Sequence, residues 1–125
     1  MESKGFQEYK EQAVSTMTQG ELLLLLYDEL IKRLTRAGLA LEKKDYATFD
    51  ASVDRSSDII QYLSDILDQQ YAVSQNLNQL YEFCIYQLCR VKIGRNSAVL
   101  DQVKAMALDL RDSFRTAQKN NDSGK

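Results

Sequence analysis

Thr18-Gln19-Gly20-Glu21-Leu22-Leu23-Leu24-Leu25-Leu26-Tyr27 is the stretch on which the fold of this 125-residue chain turns. Its first four residues have the form of a capping box: the threonine oxygen takes an orphan N–H of the first turn and the glutamate reaches back to the cap. A helix therefore starts near Thr18. The five leucines behind it add a second constraint. Successive helical residues turn by about 100°, so five in a row pass all the way round the axis. A helix at the edge of a small bundle buries one side only, and some of these leucines face outward unless something covers them. Farther on, Leu23, Leu26, Leu30, Leu34, Ala37 and Leu41 recur at three and four, which carries the helix to about Lys43. Gly38 costs about 1 kcal/mol relative to Ala inside a helix and marks a place where another helix can come close.

Three more helices follow. Asp45 is the N-cap of a second, to about Gln69, with Phe49, Val53, Ile60, Leu63 and Leu67 as its stripe, widened by Ile59, Tyr62 and Ile66. Ser56 and Ser57 sit where that stripe narrows. A third runs from near Ser74 to Ile93, with Leu77, Leu80, Tyr81, Cys84, Ile85, Leu88 and Val91 on its apolar face. Gly94 is expected to stop it in the left-handed conformation. The fourth starts at Asn96 or Ser97 and ends near Ala117, with Val99, Val103, Met106, Leu110 and Phe114 along one side. Short connections force neighbouring helices to run antiparallel. The expected fold is all-α, an antiparallel up-down four-helix bundle over residues 18–117. Residues 1–17 are expected to form a mobile arm with at most a short extra helix, and 118–125 a polar, disordered tail.

Composition supports long helices and removes chemistry. The chain has no Pro, where average usage would give about six, and Pro breaks helical ladders. It has no His, which excludes phosphohistidine relay, Ser-His or Cys-His nucleophile activation and mixed His–carboxylate metal sites. Catalysis through Lys or carboxylates stays open. The carboxylates Asp50, Asp54 and Asp58 stand at four-residue spacing, and such a row could hold Mg²⁺ if a second set faced it. A solvated face is the simpler reading. The five glycines are isolated, so no phosphate-binding loop is formed. No metal, cofactor or enzymatic activity is expected.

Sixteen basic and eighteen acidic residues give a net charge of −2, a poor footprint for nucleic acid. Six Asp lie between Lys44 and Ser74 and seven Lys or Arg between Arg90 and Lys119. Complementary solvated helix faces explain this; a basic strip for an acidic partner is the alternative. Cys84 and Cys89 are five apart, about 140° round a helix, and cannot easily bridge. Reduced thiols, no apolar signal region near Lys4, and no aliphatic run longer than Leu22–Leu26 together lead us to expect a cytosolic chain without membrane insertion.

The leucine run has two readings. Either the first 17 residues or a homodimer contact covers the surplus permanently, or the run lines a groove for another chain's amphipathic helix with the arm as an occasional lid. Seven of the eleven aromatics are Tyr, a residue that packs apolar area and keeps a hydroxyl for half-wet interfaces. Tyr27 and Tyr81, beside the stripes of the first and third helices, are the better interface candidates among them.

Tyr9, then Thr16-Met17-Thr18-Gln19-Gly20-Glu21-Leu22 and Leu26-Tyr27-Asp28, resemble the opening of the flagellin export chaperone family FliS. Ile59-Ile60 with Leu63 and Leu67-Asp68, Asn76-Leu77 with Leu80-Tyr81-Glu82-Phe83, and Leu110-Arg111-Asp112-Ser113-Phe114 continue the resemblance over about residues 6–117. The family usually has Ser-Pro where Thr18-Gln19 stands here, and Pro in a first turn is favoured but dispensable. The resemblance implies a cytosolic bundle that binds the C-terminal region of flagellin, blocks premature filament formation and delivers the subunit to the flagellar type III export gate. It implies that Tyr27, Leu77 and Tyr81 join the leucines of the run, Leu22, Leu23, Leu25 and Leu26, in the groove, and that Phe6 and Tyr9 belong to an N-terminal lid, in which we also place Val14. The chain alone is expected to be a monomer or weak homodimer. The alternative is a structural homodimeric module that pairs through Leu22–Leu26 and ignores flagellin.

Overall fold

The computed structural model describes residues 18–68 and 70–123, with side chains as far as Asn120. They form four helices: α1 (Gln19–Glu42), α2 (Tyr46–Asp65), α3 (Ala72–Gly94) and α4 (Ser97–Ser123). Each helix packs against the next, and α1 against α4, which closes the ring of an antiparallel up-down bundle. No helix among the described residues is long and apolar enough to cross a membrane. Phe6, Tyr9 and Val14 lie outside the described residues.

Three of the four helix starts are made by the local chemistry expected of them. Thr18 Oγ1 accepts from Glu21 N at 3.1 Å, Asp45 Oδ1 from Thr48 N at 3.2 Å, and Asn96 Oδ1 from Val99 N at 3.2 Å. Such caps satisfy donors that have no partner inside the helix. The bond from Thr48 holds the Asp45 carboxyl below its usual range, helped by Arg36 and Lys43. A lowered folded-state value means this contribution is present above the ordinary carboxylate range and is lost as pH falls through the folded one. Asn caps about as well as Asp and does not titrate. Asp45→Asn is therefore expected to leave urea stability near neutral pH almost unchanged and to flatten its decline between about pH 5 and 3. An unchanged acid limb would show that Asp45 contributes nothing to it.

Two helix ends and one stop differ from the sequence expectation. The second helix ends at Asp65, short of Gln69, with Ile66 as its cap. The chain turns there because Ser64 and Ser74 find partners outside α2: Ser64 bonds Asn78, and Ser74 Oγ donates to the Asp68 carbonyl. The fourth helix continues through Ser123, beyond Ala117. Gly94 is not the left-handed stop of α3; it is still helical, and Arg95 takes that conformation with φ 50° and ψ 46°. A non-glycine residue there costs about 1–2 kcal/mol. The Arg95 guanidinium lies 3.5 Å over the Tyr46 ring, a cation–π contact that offsets part of that cost.

The core follows the stripes. Leu30, Leu34 and Ala37 of α1, Phe49, Val53, Ile60 and Leu63 of α2, Cys84, Leu88 and Val91 of α3, and Leu100, Val103 and Ala107 of α4 are buried together. Gly38 faces Leu100 across the α1–α4 contact, where an added Cβ would sit at 3.9 Å, in ordinary contact. Close approach therefore does not demand glycine at 38. Cys84 is buried, which pushes its thiol up to about 11, and Cys89 is exposed; both are free.

Candidate functional site

The end of the bundle where α1 begins and α4 ends holds most of the residues singled out above. Tyr27 lies at the first turns of α1, where its ring meets Phe114 of α4 at 5.5 Å between centroids and 26° between planes. Its hydroxyl bonds that of Tyr81 on α3, 54 residues away. Both tyrosines are buried, 0% and 2% exposed. Burial, then the neighbouring Tyr81 oxygen, raises the Tyr27 hydroxyl far above the ordinary tyrosine range; burial raises Tyr81 as well. Each hydroxyl satisfies the other, which removes the penalty that either would carry alone. At the surface above them, Arg111 of α4 donates to Asp28 of α1 at 3.5 Å, and Arg115 approaches the same carboxylate at 4.0 Å.

This places the expected groove residues in two layers. Tyr27 and Tyr81 lie inside the bundle and tie α1, α3 and α4 together. Leu23, Leu26 and Leu77 are half-buried and pack on the core edge. Leu22 and Leu24 are half-buried on the flanks, and Leu25, opposite the core, is 41% exposed. The run therefore behaves as its length requires, with no single face able to bury all five.

A comparison with protein-family models matches residues 2–121 to the model described as flagellar protein FliS. The chain belongs to the FliS family. The flagellar secretion chaperone FliS of Bacillus subtilis is 28% identical over 87% of this chain and 82% of its own length. That of Escherichia coli is 25% identical over 90% and 88%. A solved structure described as a flagellar chaperone from bacteria superimposes with a TM-score of 0.78 at 19% identity, covering 94% of this chain and 97% of its own. These FliS relatives are chaperones by name, and not enzymes.

The fold brings together the separate stretches that carry the resemblance to FliS. Leu26-Tyr27-Asp28, Leu80-Tyr81 and Leu110-Arg111-Asp112-Ser113-Phe114 are far apart in sequence and meet at the tyrosine pair, the Tyr27–Phe114 stack and the Asp28–Arg111 ion pair. Motif residues of this FliS chain thus build the end of the bundle that displays the leucines.

The structure also exposes an apolar set that the periodicity reading had not separated. Phe83, Tyr86 and Ile93 point outward from α3, and Ile93 is 87% exposed. They lie on the side of that helix opposite Cys84, Leu88 and Val91, a placement legible from helical spacing once the buried stripe is known. The Asp row is committed differently: Lys92 of α3 reaches Asp54 at 2.8 Å. Among the described residues no cluster of three His, Cys, Asp or Glu is placed to hold a metal.

Proposed function

We propose that this chain is a flagellar export chaperone that binds the C-terminal region of flagellin in the cytosol, prevents its premature polymerisation and supports its delivery to the flagellar type III export apparatus. FliS-family membership carries this reading, and the incompletely buried Leu22–Leu26 run supplies a surface for it. Leu22, Leu23, Leu25, Leu26 and Leu77 are the contact residues we assign to the client groove. Tyr27 and Tyr81 belong to it as the supports beneath. Apolar burial must offset the ordering of a loosely folded client, a cost of several kcal/mol, and extra leucine surface meets that need without nucleotide or cofactor. Release then falls to competition at an export-gate component.

Residues 1–17, with Phe6, Tyr9 and Val14, are assigned the part of a lid that occupies the same surface in the absence of client. A filament-assembly assay tests both ideas. One equivalent of the chain should halt growth of flagellin nuclei, and the chain without residues 1–17 should halt it at lower concentration. Undiminished growth at several equivalents would sink the chaperone reading; weaker inhibition by the shortened chain would make residues 1–17 part of the site and not its lid.

A further inference from the structure

Positions 22, 25, 29, 33 and 36 recur at three and four and share one strip of α1. The strip begins with Leu22 and Leu25 and ends with Arg33 and Arg36. These two arginines line a groove of about 480 Å³ between α1 and α2, together with Arg55 and the small residues Ala47, Ala51 and Ser52. Three guanidinium groups and no carboxylate face it, a local excess of positive charge in a chain whose net charge is −2. Glu29 takes Arg33 at 3.6 Å from the leucine side. Among the described residues Arg36 and Arg55 have no ion-pair partner within 4.0 Å. Asp45, which feels Arg36, already accepts from Thr48 N as the cap of α2. Arg33 Nε is buried with no hydrogen-bond partner, and an unpaired buried donor is costly.

We infer that this groove takes an acidic segment of the client, whose carboxylates pair with Arg36 and Arg55 while an adjoining apolar segment covers Leu22 and Leu25. The inference rests on the client reading above and adds the charge and register of what is bound. Guanidinium forks match carboxylates in bidentate pairs. The small residues on the α2 side leave room for a chain to lie along the seam. From Leu22, Arg33 is 11 residues on and Arg36 is 14, so at 1.5 Å each the acidic segment sits about 17–21 Å from the first leucine contact. The pairs are exposed to solvent, so salt weakens them.

Calorimetric titration of flagellin into the full chain and into Arg36→Glu/Arg55→Glu, at low and at high salt, tests this. The unmodified chain should lose affinity as salt rises. The double variant should bind at least about 10-fold more weakly at low salt, with the salt dependence abolished or reversed because its glutamates repel the acidic segment, and its melting temperature should move by no more than a few degrees. Arg36→Gln/Arg55→Gln, which adds no repulsion, should move in the same direction by less and serves if the charge reversal disturbs folding. Equal affinity and equal salt dependence in all three would overturn the inference and leave the client reading standing. Should flagellin bind none of them, the client reading has failed, and a synthetic helical peptide of Glu and Ala becomes the probe. Binding to the unmodified chain and not to the double variant would support an acidic-segment groove; no binding to either would overturn it.

Discussion

Tyr27→Ala is expected to be among the most damaging single substitutions in the chain. The side chain is fully buried and stacked on Phe114, and truncation of a buried aromatic costs about 3–5 kcal/mol. It also strands the Tyr81 hydroxyl inside the bundle, which adds about 1–3 kcal/mol. A domain of this size has a total stability of about 5–15 kcal/mol, so urea unfolding should show most of it gone. A gentler cycle isolates the hydroxyl pair. Tyr27→Phe and Tyr81→Phe should each destabilise by about 1–3 kcal/mol, because each leaves one buried hydroxyl without a partner. The double variant should be closer to the unmodified protein than the sum of the two, since it leaves no orphan. Additive losses would mean that the two hydroxyls do not depend on each other.

Leu25→Asp should act on binding and not on folding. Leu25 points away from the core and is 41% exposed, so a charge there is hydrated in the free chain. In the complex that charge is buried beside apolar client surface. Loss of about 1 kcal/mol from burying the exposed share of the leucine, plus the larger cost of desolvating an unpaired carboxylate, gives about a 100-fold loss of affinity for flagellin. The melting temperature should move by no more than a few degrees. Ile93→Asp is the matching control, because Ile93 is more exposed and lies on the outward side of α3. Should Ile93→Asp weaken binding while Leu25→Asp does not, the client surface is the α3 face of Phe83, Tyr86 and Ile93.

What the sequence made legible was local. Thr18, Asp45 and Asn96 each bond an N–H three residues on, and such caps need no knowledge of the rest of the fold. The apolar stripes were legible for the same reason, since their spacing already states which residues share a side. Positions settled by distant partners were not. Gly94 had the right chemistry to stop α3, yet Arg95 takes the left-handed turn, where its side chain reaches Tyr46 at the start of α2. The end of α2 moved because Ser64 and Ser74 bond Asn78 and the Asp68 carbonyl. Tyr27 and Tyr81 read as interface candidates beside the apolar stripes because a tyrosine hydroxyl usually seeks water. A reader of one helix does not see that each supplies the partner the other needs. The arginine groove was invisible for a related reason: Arg55 stands between Asp54 and Asp58, well beyond Arg33 and Arg36 in sequence, and only the α1–α2 contact gathers the three.

The central claim is that the client is flagellin, held through its C-terminal region. Calorimetry with full-length flagellin and with flagellin lacking that region addresses it most directly. The account predicts one-to-one binding of the full-length form with a negative heat-capacity change, as expected when apolar surface is buried by a segment that folds on binding. It predicts no measurable binding of the shortened form. Equal binding of both forms, or no heat from either at tens of micromolar, would contradict it.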